Sequence, residues 1–231
     1  MTEVTISAKD GGTFSGYLAT PAATPTPGIV LVQEIFGVNT VMRALADGFA
    51  TDGFIVLCPD LFWRQESGIQ ITDKTEEEWA TAFELYQGFD EAKGVDDLIA
   101  TLDHLRGLED CTGKAGCIGY CLGGKLAYLM ATRSNVDCSV GYYGVGIEAA
   151  LDEAPNITKP LLLHIAEEDQ FVSKEAQAEI KQGLAGKDLI TIHSYAGTDH
   201  AFARVGGEHH DEAATALANR RSAEFLKANL G

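Results

Sequence analysis

The 231-residue chain carries a formal net charge of −17, with hydrophobic residues at 45%. That balance fits one soluble α/β domain spanning 1–231, and it lacks the surplus of Lys and Arg that nucleic acid or an anionic membrane demands. An anionic ligand would have to be met by a local positive group, not by the overall field. Residues 1–9 hold no basic stretch leading into an apolar run, and no segment reaches the length of a membrane span. Five cysteines, Cys58, Cys111, Cys117, Cys121 and Cys138, make an odd set without scaffold or zinc spacing, so thiols in a cytoplasmic protein are expected.

In chain order, Val4–Ser7 and Thr13–Leu18 read as a leading hairpin, and the short Pro- and Thr-rich stretch Pro21–Pro27 as a loop. Continuous apolar runs follow at Gly28–Phe36, Phe54–Leu61, Ala115–Cys121, Val136–Gly144, Leu161–Ala166 and Leu189–Tyr195. Runs that do not alternate predict strands covered on both faces. Helical patterns at Thr40–Thr51, Glu76–Gln87, Gly94–Leu105, Gly123–Thr132, Lys174–Leu184 and Asp211–Asn229 separate them. The alternation predicts a mostly parallel sheet with crossover helices on both faces.

The run ending at Cys121 supplies the chemistry. Gly119-Tyr120-Cys121-Leu122-Gly123 closes a strand and opens a helix, the thiol counterpart of the G-x-S-x-G nucleophile elbow. Glycines two positions before and after the nucleophile suit a strained turn where strand and helix crowd together. The turn also lifts the sulfur to a helix amino terminus, where free N–H groups and the dipole favour a thiolate. The other four cysteines read as buried packing residues.

In this fold the acid and the base follow the nucleophile, each at the carboxyl end of a later strand. Leu161–Ala166 runs into Glu167-Glu168-Asp169-Gln170-Phe171-Val172, and Asp169, with its Asp-x-x-Val continuation, is the expected acid. Leu189–Tyr195 runs into Ala196-Gly197-Thr198-Asp199-His200, and His200 is the expected base. His104, His164, His193, His209 and His210 fall on helices, inside strands or in a polar segment, and read as structural.

With these residues placed, the chain resembles the dienelactone hydrolase, or carboxymethylenebutenolidase, family of the α/β-hydrolase superfamily. The likeness rests on Val32-Gln33-Glu34-Ile35-Phe36-Gly37, the Gly119–Gly124 elbow, Gly141-Tyr142-Tyr143-Gly144 and His200-Ala201-Phe202-Ala203-Arg204. It implies an α/β-hydrolase fold, Cys121 as nucleophile, His200 as base and Asp169 as orienting acid. It further implies that Glu34 helps to deprotonate the cysteine and that the N–H groups of Ile35 and Leu122 form the oxyanion hole. Arg204 would pair with a substrate carboxylate, and Phe36 and Tyr143 would contact the substrate. The family's second substrate-binding arginine has no counterpart in Lys74-Thr75-Glu76-Glu77-Glu78-Trp79-Ala80, which leaves Lys74 or Arg64 as nearby stand-ins.

The expected reaction is hydrolysis of an enol lactone or activated ester through a cysteine thioester, with no metal or organic cofactor. The expected partner is the small-molecule substrate alone, the chain being a monomer or weak homo-oligomer. A carboxylesterase acting on neutral esters is the enzymatic alternative, which the absent arginine favours. A binding protein on a hydrolase scaffold is the alternative from another class.

Overall fold

The computed structural model describes residues 2–231, which fall into two compact units, one ending at Ala115 and one running Gly116–Gly231. In the first unit, β1 (Thr2–Ser7) and β2 (Thr13–Ala19) form the leading antiparallel hairpin. β2 also pairs antiparallel with β4 (Ile55–Pro59), and β4 pairs parallel with β3 (Thr26–Val32), giving the order β1-β2-β4-β3. Burial follows position. Ile29, Val30, Leu31 and Val32 are fully covered, whereas β1 alternates and keeps one face in water. Each fully buried aliphatic side chain is worth about 1.5–3 kcal/mol, so the four in β3 anchor the strand firmly.

Three helices among the described residues belong to this unit. α1 (Thr40–Thr51) starts where the Asn39 side chain accepts the Met42 N–H at 3.1 Å, and it buries Met42, Ala46 and Ala50 on one stripe. α2 (Glu76–Gln87) is capped by Thr75, whose hydroxyl accepts the Glu78 N–H at 3.2 Å. Glu76, Glu77 and Glu78 are exposed in its first turn, where negative charge complements the helix dipole. α3 (Glu91–Arg106) begins three residues ahead of the apolar pattern, because Asp90 caps it by accepting the Lys93 N–H at 3.1 Å.

β5 (Cys111–Tyr120) carries the chain into the second unit. There β5, β6 (Cys138–Tyr142), β7 (Leu161–Ala166) and β8 (Ile190–Tyr195) lie side by side and all parallel. β6 and β7 are buried throughout, and β8, at the edge, is mostly half-exposed. α4 (Leu122–Arg133), α5 (Lys174–Gly183) and α6 (Glu212–Leu230) are the helices of this unit. A 3-10 helix over Glu148–Asn156 falls where no periodic apolar pattern marks a helix, and Pro155 lies inside it. No helix among the described residues is long and apolar enough to cross a membrane.

Candidate active site

In the second unit the consecutive parallel strands deliver their following loops to one end of the sheet. β5 ends at Tyr120, and Cys121 caps α4 with φ 57° and ψ −117°, a backbone conformation that costs a side-chain-bearing residue of order 1–3 kcal/mol. The surrounding structure enforces it. The Cys121 N–H donates to the Tyr142 carbonyl at 3.1 Å, and the Cys121 carbonyl accepts the Gly124 N–H at 2.9 Å. A Cβ on Gly119 would stand 2.0 Å from the Gly123 carbonyl oxygen, which is why the elbow needs glycine there. Further along, Gly124 and Gly144 let α4 lie against the end of β6, since a Cβ on Gly124 would stand 2.3 Å from the Tyr142 carbonyl oxygen.

His200 and Asp169 meet in the loops that follow β8 and β7. His200 Nδ1 lies 2.9 Å from Asp169 Oδ2 and 3.1 Å from Oδ1, with both side chains almost fully buried. Asp169 Oδ1 also accepts the Phe171 N–H at 2.9 Å, which fixes the carboxylate's rotation. With Nδ1–H committed to Asp169, Nε2 is the nitrogen left for proton transfer. It is buried and makes no hydrogen bond among the described residues. Burial works against a charged His200 ring, but the adjacent Cys121 sulfur and the Asp169 carboxylate outweigh it and hold the imidazolium well above its ordinary range. Cys121 is thus close enough to favour the charged form of His200.

Aromatic rings fix the imidazole plane. Tyr143 meets it edge-on with centroids 5.1 Å apart, and Phe171 does so from 4.8 Å. Tyr143 itself has φ 36° and donates its N–H to the His164 carbonyl at 2.8 Å. Leu122 is the first residue of α4, so its N–H has no acceptor within the helix. Arg204 sits on the loop of the base, its N–H bonded to the Ala201 carbonyl at 2.9 Å, and its side chain is largely buried. The structure therefore brings Cys121, Asp169, His200, Tyr143, Leu122 and Arg204 into one unit. Phe171 and Asp199, within the same two loops, also hold the pair, although no motif marks either for that role.

Glu34, Ile35 and Phe36 belong to the first unit. They follow β3 in a turn whose position is fixed on both sides. Gln33 accepts the Leu61 N–H at 3.1 Å and donates to the Glu34 carbonyl at 3.3 Å, and the Ile71 N–H donates to the Phe36 carbonyl at 3.1 Å. Glu34 is buried, and the Phe36 ring packs edge-on against Trp79, with centroids 5.0 Å apart. Neither suggested stand-in arginine substitute is idle. Arg64 makes paired bonds of 2.8–3.0 Å to Asp10 and to the buried Asp97, and Lys74 pairs with Asp73 at 3.1 Å. All five cysteines are free, and burial pushes the thiols of Cys58, Cys117 and Cys138 up, as expected of packing residues.

The Dienelactone hydrolase family model matches residues 14–230. This chain belongs to the dienelactone hydrolase family. It is 50% identical to a provisionally named carboxymethylenebutenolidase of Azospirillum brasilense over the whole of both chains. It is 40% identical to the carboxymethylenebutenolidase of Pseudomonas putida, covering 96% of this chain and 94% of that one. A solved structure from Klebsiella pneumoniae, provisionally titled a dienelactone hydrolase, superposes with a TM-score of 0.85 at 22% identity, covering 98% of each chain. The chain is accordingly a carboxylic ester or lactone hydrolase with the α/β-hydrolase fold. It is mostly parallel in its strands, with an antiparallel leading hairpin.

Proposed function

We propose that this dienelactone hydrolase family member opens an enol lactone by way of a thioester on Cys121, working as one domain in the cytoplasm. The observation that carries the reading is the buried His200, with Nδ1 bonded to Asp169 and Nε2 unbonded beside a cysteine in a left-handed elbow. The names of the carboxymethylenebutenolidase relatives supply the substrate class, and five free thiols fit a reducing compartment.

In the first half-reaction the Cys121 thiolate adds to the lactone carbonyl carbon, and the oxyanion is received by the N–H groups of Leu122 and Ile35. Removing one such donor typically costs about 2.7–4 kcal/mol of transition-state stabilisation. Collapse breaks the ring C–O bond and leaves a thioester whose other end is an enolate, which takes the Nε2 proton of the His200 imidazolium and leaves that ring neutral. In the second, His200 Nε2 takes a proton from water, the hydroxide adds to the thioester carbonyl, and the C–S bond breaks to return the thiolate and a carboxylate product. Asp169 keeps the imidazole turned with Nε2 toward the reacting centre. Glu34 takes the role that the family resemblance gives it, helping to deprotonate Cys121 as substrate arrives. Arg204 clasps a substrate carboxylate, and Phe36 and Tyr143 line the substrate.

The engagement of Arg64 by Asp10 and Asp97 and of Lys74 by Asp73 favours a second reading, turnover of neutral esters, because neither supplies an additional anion-binding group. Comparing kcat/KM for an anionic dienelactone and a neutral ester of similar reactivity, in wild type and in Cys121→Ala, separates the two. A preference for the lactone that Cys121→Ala abolishes is the expected result. Equal rates on both substrates would favour the esterase, and turnover surviving in Cys121→Ala would remove the thioester.

A further inference from the structure

Asp199 immediately precedes the base, and its carboxylate is engaged by the main chain of both catalytic loops. One oxygen, Oδ1, receives two main-chain N–H groups at once, that of His200 at 2.6 Å and that of Gln170 at 2.9 Å. Gln170 follows the acid, Asp169, in sequence. One carboxylate oxygen therefore joins the loop carrying the acid to the loop carrying the base. A main-chain bond from the Glu168 N–H to the Thr198 carbonyl, 2.8 Å, runs alongside. The second oxygen, Oδ2, lies 3.6 Å from His209 Nδ1 and 3.5 Å from Gln170 Nε2, and these fix the carboxylate's rotation. On the other side of the base, Ala201 holds φ 61°, so the backbone of His200 is set by a clamp before it and a left-handed turn after it.

We propose that Asp199 is a positioning residue for the hydrolytic reaction, setting the separation of the Asp169 and His200 loops so that Nε2 keeps its line to Cys121. This rests on the proposed assignment of Cys121, Asp169 and His200. The physical reason is the geometry of two loops. β7 and β8 are held in register by main-chain bonds that the Glu168 N–H to Thr198 carbonyl bond extends one step into the loops, but at the acid and the base themselves the Asp169–His200 contact alone would act as a hinge. A two-amide acceptor converts that hinge into a braced joint. Charge on the acceptor strengthens both bonds, as in a carboxylate at a helix N-cap. Asparagine retains an acceptor oxygen in the same place and ranks close to aspartate in such roles.

The test compares Asp199→Ala and Asp199→Asn with wild type, using a chromogenic ester, pre-steady-state bursts, iodoacetamide labelling of Cys121 and thermal melts. For Asp199→Ala, kcat should fall roughly 10- to 100-fold, the order expected for an ångström-scale misplacement of a catalytic group, with KM falling alongside as breaking the thioester becomes limiting. The acyl-enzyme should accumulate as a larger burst, because breaking the thioester depends on the orientation of His200. Asp199→Asn should recover most of the lost kcat. A lower melting temperature with unchanged kcat per folded molecule overturns the proposal in favour of a merely structural role. Equal loss in the alanine and asparagine variants overturns the acceptor argument in favour of charge. If the alanine variant does not fold, Asp199→Ser, whose single short acceptor cannot serve both amides, must show the same kcat loss for the proposal to stand. Turnover persisting in Cys121→Ala would refute the underlying catalytic assignment, whatever the Asp199 variants do.

Discussion

Gly119→Ala is the smallest change that tests the elbow. The added Cβ would stand 2.0 Å from the carbonyl oxygen and 2.3 Å from the carbonyl carbon of Gly123. Real Cβ atoms do not approach below 3.0 Å, so the first turn of α4 must retreat by about 1 Å (3.0 − 2.0) or the end of β5 must yield by the same amount. Neither neighbour is a flexible side-chain tip; both are main-chain atoms of the turn that holds Cys121. Overpacking of this kind costs about 1–3 kcal/mol in stability. The larger effect falls on chemistry. Cys121 lies midway between the clashing residues, and moving its sulfur by about 1 Å relative to His200 is of the order that costs 10²-fold in rate. The assay is kcat on a chromogenic ester, corrected for the folded fraction, with a thermal melt on the same sample. Gly48→Ala is the control, because an added Cβ there meets nothing within 4 Å. Turnover by Gly119→Ala indistinguishable from wild type would show that the elbow tolerates a side chain and that the steric argument is wrong.

Four other outcomes are expected. Gly48→Ala, exposed in the interior of α1, should raise stability by about 1 kcal/mol, measured by denaturant melts, without changing kcat. Asp97→Ala removes the buried acceptor of Arg64 and of the Trp63 indole N–H, while Arg64 keeps its paired bonds to Asp10, and should cost about 1–3 kcal/mol of stability, read from the same melts, leaving kcat per folded molecule intact. Arg204→Ala should slow anionic lactone turnover about 10- to 100-fold while sparing neutral esters, since a hydrogen bond to a charged group is worth about 1.5–3 kcal/mol. Equal loss on both substrates would remove Arg204 from carboxylate recognition. His164 is buried, and burial, followed by the charges of His193 and Arg221, depresses it to about 3. Its folded value lies below its unfolded one, so the stability it contributes is present above about pH 6.5 and lost as pH falls towards 3. The full gap, (6.5 − 3) at about 1.4 kcal/mol per pH unit, corresponds to ~5 kcal/mol. His164→Gln should flatten the acid limb of a stability profile measured by chemical melts.

The sequence carried most of the fold because its signals are local. Strands β3, β4, β6 and β7, and β5 from Ala115 onward, are apolar runs buried on both faces, and α1 and α2 begin at capping residues, Asn39 and Thr75, that stand just ahead of the apolar pattern. The start of α3 was missed because Glu91-Ala92-Lys93 is polar, and only the Asp90 cap marks it. The 3-10 helix at Glu148–Asn156 was invisible, being too short and irregular for a 3.6-residue stripe, with Pro155 inside it. At the site, Cys121, Asp169 and His200 were legible because each lies at the end of an apolar run, where this architecture collects functional side chains. Asp199 was not, since its role depends on an amide contributed by Gln170 from another loop, and side-chain to main-chain contacts leave no periodic trace. Phe171 escaped for a similar reason, because only the folded loop turns its ring onto His200. The fate of Arg64 was equally hidden, as its two carboxylate partners are 54 and 33 residues away in the chain.

The most direct test of the account is to trap the covalent intermediate. The protein is mixed with a slowly deacylating ester or enol lactone, quenched in acid within the burst phase, digested and mapped by mass spectrometry. The account predicts one acyl group in thioester linkage on Cys121, absent from Cys121→Ala and accumulating in Asp169→Ala, where the imidazole loses the partner that orients it for breaking the thioester. An acyl group on any other residue, or full turnover with Cys121 unmodified throughout the burst, would contradict it.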